Sequence, residues 1–176
     1  METAVVGMQS RILSTHEKIV VDSSLQEGSP NIDAQTLSSE RGRIAPCRIG
    51  ELNTAQLLST AFDPRFNAGN RSSKENVYGR MDRFVQHLFG ASEHGSYAPP
   101  FNAELGNAGL QEVIVVGHSC YFRSFFRRFL QPSSNHIAKE RKLKNCGVIS
   151  FDLVRNESTG EIYIEESSIR VLYKGF

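Results

Sequence analysis

The sequence predicts an α/β fold, and three stretches carry that expectation. A short β-branched run, Lys18-Ile19-Val20-Val21, follows an amphipathic segment. A second apolar run, Val113-Ile114-Val115-Val116, leads through Gly117-His118-Ser119 into a phenylalanine-rich helical stripe. Two further β-type runs then flank a turn at residues 156–160. Strand–helix alternation closed by a hairpin reads as an α/β sandwich, helices layered on a sheet.

Taken in order, residues 2–13 read as a helix, because Val5, Val6, Met8, Ile12 and Leu13 fall mostly on one face at helical spacing. Residues 18–21 form a strand by β-branched content. Residues 22–50 are rich in Ser, Gly, Pro and Asn and read mostly as loop, with a second weak region at 64–74. Residues 75–89 form a helix with Val77, Met81, Phe84, Val85 and Leu88 as its apolar stripe. Residues 92–105, with two consecutive prolines, are loop. Residues 112–116 are expected as a buried strand, and residues 121–130 as a helix burying Phe122, Phe125, Phe126 and Phe129. Pro132 ends that helix. Residues 147–154 and 161–164 are strands, and residues 169–173 add a third.

The bulk numbers describe one ordinary globular domain. The chain has 176 residues, 39% hydrophobic and 22% charged, enough for a core without a membrane-spanning run. A net charge of +1 gives no global reason to expect nucleic acid or an anionic membrane as partner. The cysteines, Cys47, Cys120 and Cys146, are far apart and show no CxxC spacing. That points away from a disulfide framework or a zinc site and toward a reducing, cytoplasmic compartment. The N-terminus shows no signal-peptide pattern.

His118 is the residue on which the chemistry turns. It stands between a predicted strand end and a predicted helix start, where open α/β sheets bind ligands and a helix offers unpaired N–H groups to an anion. A phosphate there would meet the imidazole, and Ser119 offers a further hydrogen bond. The alternative is a histidine that only satisfies a local bond at the strand end. Gly117-His118-Ser119-Cys120-Tyr121 also resembles part of the nucleophile elbow of α/β-hydrolases. The final glycine is replaced by Tyr121, and no acid lies between Ser119 and the last histidine, His136, so the Ser–acid–His order fails.

Four segments together resemble the histidine phosphatase superfamily, the phosphoglycerate-mutase-like proteins. VIVVGHSCYFRSF is similar to the family's second catalytic-histidine motif. KLKNCGVISFDL is similar to the strand that follows it. The helix led by Glu75 and running to Phe84 is similar to the family's Glu-led helix, and KIVVDSSLQE, ending at Glu27, to its Leu-x-Glu segment. The resemblance covers residues 3 to about 153 in order. It implies a three-layer α/β/α sandwich and phosphomonoester hydrolysis or phosphoryl transfer through a phosphohistidine. His118 then contacts the transferred phosphoryl group and Glu27 acts as proton donor or base. The substrate is a small phosphorylated molecule or phosphate, and no metal or cofactor is required.

The family's nucleophile, the histidine of an Arg-His-Gly motif, has no counterpart in the sequence; His94-Gly95 lacks the arginine. Thr3-Ala4 is similar to the family's Thr-Ala pair, whose preceding arginine would fall before Met1. The resemblance therefore implies one domain over residues 1–176, N-terminally truncated, inactive and poorly soluble, with a variable insertion at 28–74. A non-catalytic phosphate- or partner-binding relic of the same fold is the alternative. Lys139, Arg141, Lys142 and Lys144, with Arg123, Arg127 and Arg128, form a basic cluster read either as a solvated face or as a polyanion surface.

Overall fold

Among the described residues, three helices lie where helical periodicity sets the apolar stripes. The computed structural model describes residues 2–28, 40–44, 61–69, 76–90, 97 and 112–176. Helix α1 spans Glu2–Thr15, α2 Val77–Leu88 and α3 Ser119–Phe129. Strand β1 spans Ile19–Asp22, β2 Phe62–Phe66, β3 Val148–Arg155 and β4 Ile162–Tyr173. Single 3₁₀ turns follow β1 at Ser23–Leu25 and precede β3 at Ile137–Lys139. Helices and strands are thus mixed along the chain. Among the described residues the strands form two separate two-stranded sheets, β1–β2 parallel and β3–β4 antiparallel.

Two apolar clusters hold these elements. Val5 and Ile12 of α1 pack with Ala61 and Phe62 against Ile19 and Val21. Val6 and Leu13, expected on that face, are exposed, and Ala4 is buried in their place. The larger cluster joins Met81, Phe84 and Val85 of α2, Tyr121, Phe125, Phe126 and Phe129 of α3, and Ile164 of β4. Phe126 is fully buried and meets Phe151 with ring centroids 5.2 Å apart. Burial of this kind stabilises by roughly 1.5–3 kcal/mol per large side chain and dominates helix stability over propensity.

The structure corrects three expectations. Residues 113–116 form neither strand nor helix, and Val113, Ile114 and Val116 are 42–51% exposed. β-branched composition favours a strand but does not supply the ladder partner that satisfies its backbone, and none of the described strands pairs with this run. Phe62–Phe66, in part assigned to a weak loop region, is a strand containing Pro64. The ladder tolerates a residue without an N–H because register slips there: Val20 pairs with Asp63 but Asp22 with Phe66, leaving Pro64 and Arg65 opposite one residue of β1. Residues 161–164 and 169–173 are one strand, β4, rather than two. Ser168 bridges its irregular middle, its hydroxyl accepting from the Asp152 N–H at 2.7 Å and donating to the Glu165 carbonyl at 2.6 Å.

Candidate functional site

The carboxyl end of β1 carries a buried polar cluster built on Asp22. Its Oδ1 accepts from the Ser24 N–H at 2.6 Å and the Ser24 hydroxyl at 2.5 Å, which caps the 3₁₀ turn. Its Oδ2 lies 3.0 Å from His87 Nδ1 and accepts from the Tyr97 hydroxyl. The Asp22 and His87 side chains are both buried, so the carboxylate depends on these donors to offset its lost hydration. Phe66 and Tyr97 wall the His87 ring, with centroids 4.5 and 5.4 Å away. Burial first, and then the Asp22 charge, hold the Tyr97 phenol well above the usual tyrosine range.

In the first turn of α3, Tyr121 comes within electrostatic range of the same carboxylate. It is 1% exposed, and its hydroxyl has no hydrogen-bond partner among the described residues. Burial raises its ionisation first, Asp22 adds to the rise, and the Arg80 guanidinium opposes it. The first turn of α3 therefore lies within electrostatic range of the β1 terminus and of Arg80.

Arg80 connects this cluster to Glu27. It projects from α2, is 3% exposed, and donates from Nη1 to the Gln26 carbonyl at 2.9 Å and from Nη2 to the Glu27 carbonyl at 3.4 Å. These contacts clamp the chain just beyond the 3₁₀ turn. Glu27 itself is 5% exposed, and its Oε1 accepts from the Gly28 N–H at 2.6 Å. Gly28 packs on the start of α2, where an added Cβ would stand 2.9 Å from Val77 Cγ2.

His118 occupies the N-cap of α3 with extended backbone (φ −98°, ψ 148°). Its carbonyl accepts from the Phe122 N–H at 3.1 Å, while its exposed imidazole makes no capping bond. Ser119 is half-buried at the first helical position. No acidic residue stands in the first turn to balance the positive end of the helix dipole. The sequence placed His118 at a strand end; the structure keeps it at the helix start but without the strand. Glu27 is interior and His118 is at the surface.

The basic cluster separates into parts with different uses. The Lys139 ammonium donates to the carbonyls of Gln131, Pro132 and Ser134, closing the loop after α3. Arg128 donates to both carboxylate oxygens of Asp82, each at 3.1 Å, linking α3 to α2, and Arg127 donates to the Lys139 carbonyl. Arg141, Lys142 and Lys144 remain exposed.

Sequence reasoning passed over Asp22, Arg80, His87, Tyr97 and Tyr121. A signal existed for two of them. Arg80 and His87 are seven residues apart, on the helical face that carries Phe84, and a polar residue inside an apolar stripe is a buried polar group in need of a partner. Tyr97 lies in a loop-like stretch with no periodicity, and only the fold brings it to Asp22.

Among the described residues no group of three or more His, Cys, Asp or Glu side chains is arranged to hold a metal ion, and no helix is long and apolar enough to cross a membrane. Comparison with known protein families, with curated proteins and with solved structures finds no match to this chain.

Proposed function

We propose that this chain is a histidine-phosphatase-like domain whose phosphate site is the start of α3. The observation that carries the reading is His118 at the N-cap of an 11-residue helix, its imidazole exposed and unused in capping, with no acid in the first turn. Unpaired N–H groups, the dipole and a histidine then converge on one anion. His118 stabilises charge on the phosphoryl oxygens, and Ser119 and the first backbone N–H groups share that charge. In a complete reaction a nucleophile, which is not among these residues, would take the phosphoryl group as the P–O bond breaks, and Glu27 is the residue assigned to give the leaving oxygen its proton. Arg80 supports that assignment by holding the backbone of the turn that carries Glu27. The 176 residues contain no Arg-His-Gly, so the reading assigns phosphate binding and proton transfer to named residues and assigns no nucleophile among them.

On this reading the two small sheets belong to one three-layer α/β/α sandwich. The two apolar clusters, α1 with β1–β2 and α2–α3 with the hairpin, support that arrangement. A second reading, a non-catalytic phosphate- or partner-binding module, draws support from Glu27. Its carboxylate is almost wholly buried and already engaged by the Gly28 N–H, which restricts proton exchange with a substrate.

Calorimetric titration with inorganic phosphate tests the shared part. The chain is expected to bind phosphate, and His118→Ala to weaken it about tenfold or more, the loss of one charge-assisted hydrogen bond. Absence of binding, or binding indifferent to His118→Ala, overturns the phosphatase-like reading and the phosphate-binding form of the second. Turnover of an aryl phosphate separates them further. No turnover above the His118→Ala control is expected, and turnover well above it identifies a different nucleophile.

A further inference from the structure

We propose that the exposed end of the β3–β4 hairpin, with the basic loop beside it, is a contact surface for an anionic phospholipid membrane. Arg170, Val171, Leu172, Tyr173 and Lys174 are five consecutive exposed residues. Strand side chains alternate between two faces, so a run exposed throughout stands clear of the body on both faces. Val148, paired with Tyr173, extends the apolar patch, and Val148, Val171, Leu172 and Tyr173 are 47–63% exposed. Leu172 is the extra residue where register slips between the Val148–Tyr173 and Ile149–Val171 pairs. A bulge of this kind spoils the outer edge for strand addition. The feature is a protruding ridge rather than a groove for a peptide.

Charge specifies what the ridge meets. The loop before β3 is fixed against it, with the Lys144 N–H donating to the Gly175 carbonyl at 2.9 Å and Lys174 Nζ to the Asn145 carbonyl at 3.4 Å. Residues 140–150 and 170–175 hold five cations, Arg141, Lys142, Lys144, Arg170 and Lys174, against one acid, Glu140. All five are exposed and none forms an ion pair among the described residues. Lys174 lies 5.4 Å from the Tyr173 ring centroid, so a cation and an interfacial aromatic share one position. An exposed apolar strip of Leu, Val and Tyr, flanked by unpaired cations, matches the interface of an anionic bilayer. The whole-chain net charge of +1 conceals this, because it averages acids elsewhere against a local excess. A second copy of this chain is disfavoured as the occupant: antiparallel pairing about Leu172 would set Arg170 opposite Lys174 twice.

Vesicle co-sedimentation of the full chain tests the proposal, using phosphatidylcholine vesicles with and without phosphatidylserine. Binding is expected only with phosphatidylserine and should weaken as salt rises. The Lys142→Ala, Lys144→Ala double variant is expected to bind about 25-fold more weakly, at about fivefold per cation. Leu172→Ser is expected to cost roughly tenfold. All three positions are exposed, and unchanged circular dichroism and melting would show that the variants fold. Equal binding to neutral vesicles overturns the proposal. So does binding that the variants leave unchanged, absence of binding to anionic vesicles, or capture by soluble polyglutamate in place of vesicles.

Discussion

Replacing Arg80 with methionine removes the clamp on the turn that carries Glu27 while keeping an apolar stem of similar length. The guanidinium donates to two backbone carbonyls, Gln26 at 2.9 Å and Glu27 at 3.4 Å. A charged hydrogen bond at good distance contributes about 1.5–3 kcal/mol, and the longer contact a fraction of that. The carbonyls left behind lose their donor in a buried setting, which costs about 1–3 kcal/mol more if water cannot reach them. Methionine recovers part of the packing, so the net loss is expected near 3 kcal/mol. For a chain of this length that lowers the melting temperature by roughly 6–12 °C. Chemical and thermal denaturation of Arg80→Met beside the parent chain measure it, with Arg80→Lys as a partial rescue. A loss below about 1 kcal/mol would refute the argument, since the clamp would then hold nothing that the rest of the fold does not already hold.

Three further outcomes follow from the same geometry. Gly28→Ala sets a Cβ 2.9 Å from the stiff Val77 side chain, so a loss of about 1–3 kcal/mol is expected, relieved by Val77→Ala in the double variant; additive effects would contradict the contact. Tyr121→Phe removes a buried hydroxyl that has no hydrogen-bond partner among the described residues, so stability should hold within about 0.5 kcal/mol or rise, and a loss above 1 kcal/mol in urea melts would expose a bond the structure does not contain. Alkaline pH works through Tyr97 and Tyr121, both raised by burial above the ordinary 10.0. The unfolded chain releases these protons first, so their contribution is intact below about pH 10 and falls as pH rises beyond it. Ultraviolet titration should show these two of the five tyrosines ionising only with unfolding, and free titration of all five near pH 10 would contradict their burial.

The helices were legible because each carries an apolar stripe of three or more large residues at helical spacing. β1 and the hairpin were legible from β-branched runs and a Gly-containing turn. Residues 113–116 show where composition stops being informative. Val-Ile-Val-Val states a preference for extended backbone, but pairing is a property of two segments and only one was visible. Pro64 hid β2 for the opposite reason, since a proline argues against a strand unless register slips around it. The polar run at residues 165–168 broke β4 in the sequence, whereas in space Ser168 carries the ladder across it.

His118, Ser119 and Glu27 were singled out because motif order pointed to them, and the residues packed around Glu27 were not. Helical spacing marks Arg80 as a polar residue on an apolar face, but its partners, the Gln26 and Glu27 carbonyls, lie more than 50 residues away and no local pattern contains them. The basic cluster was also only partly legible. Lys139, Arg127 and Arg128 turn inward to carbonyls and to Asp82, and the cations left exposed are joined by Lys174 from the far end of the hairpin.

The most direct measurement is an amide and imidazole NMR titration of the chain with inorganic phosphate. Saturable shifts confined to His118, Ser119 and the first-turn N–H groups of α3, and lost in His118→Ala, are expected. Shifts elsewhere with α3 unmoved, or none at all, would contradict a phosphate site at the start of that helix.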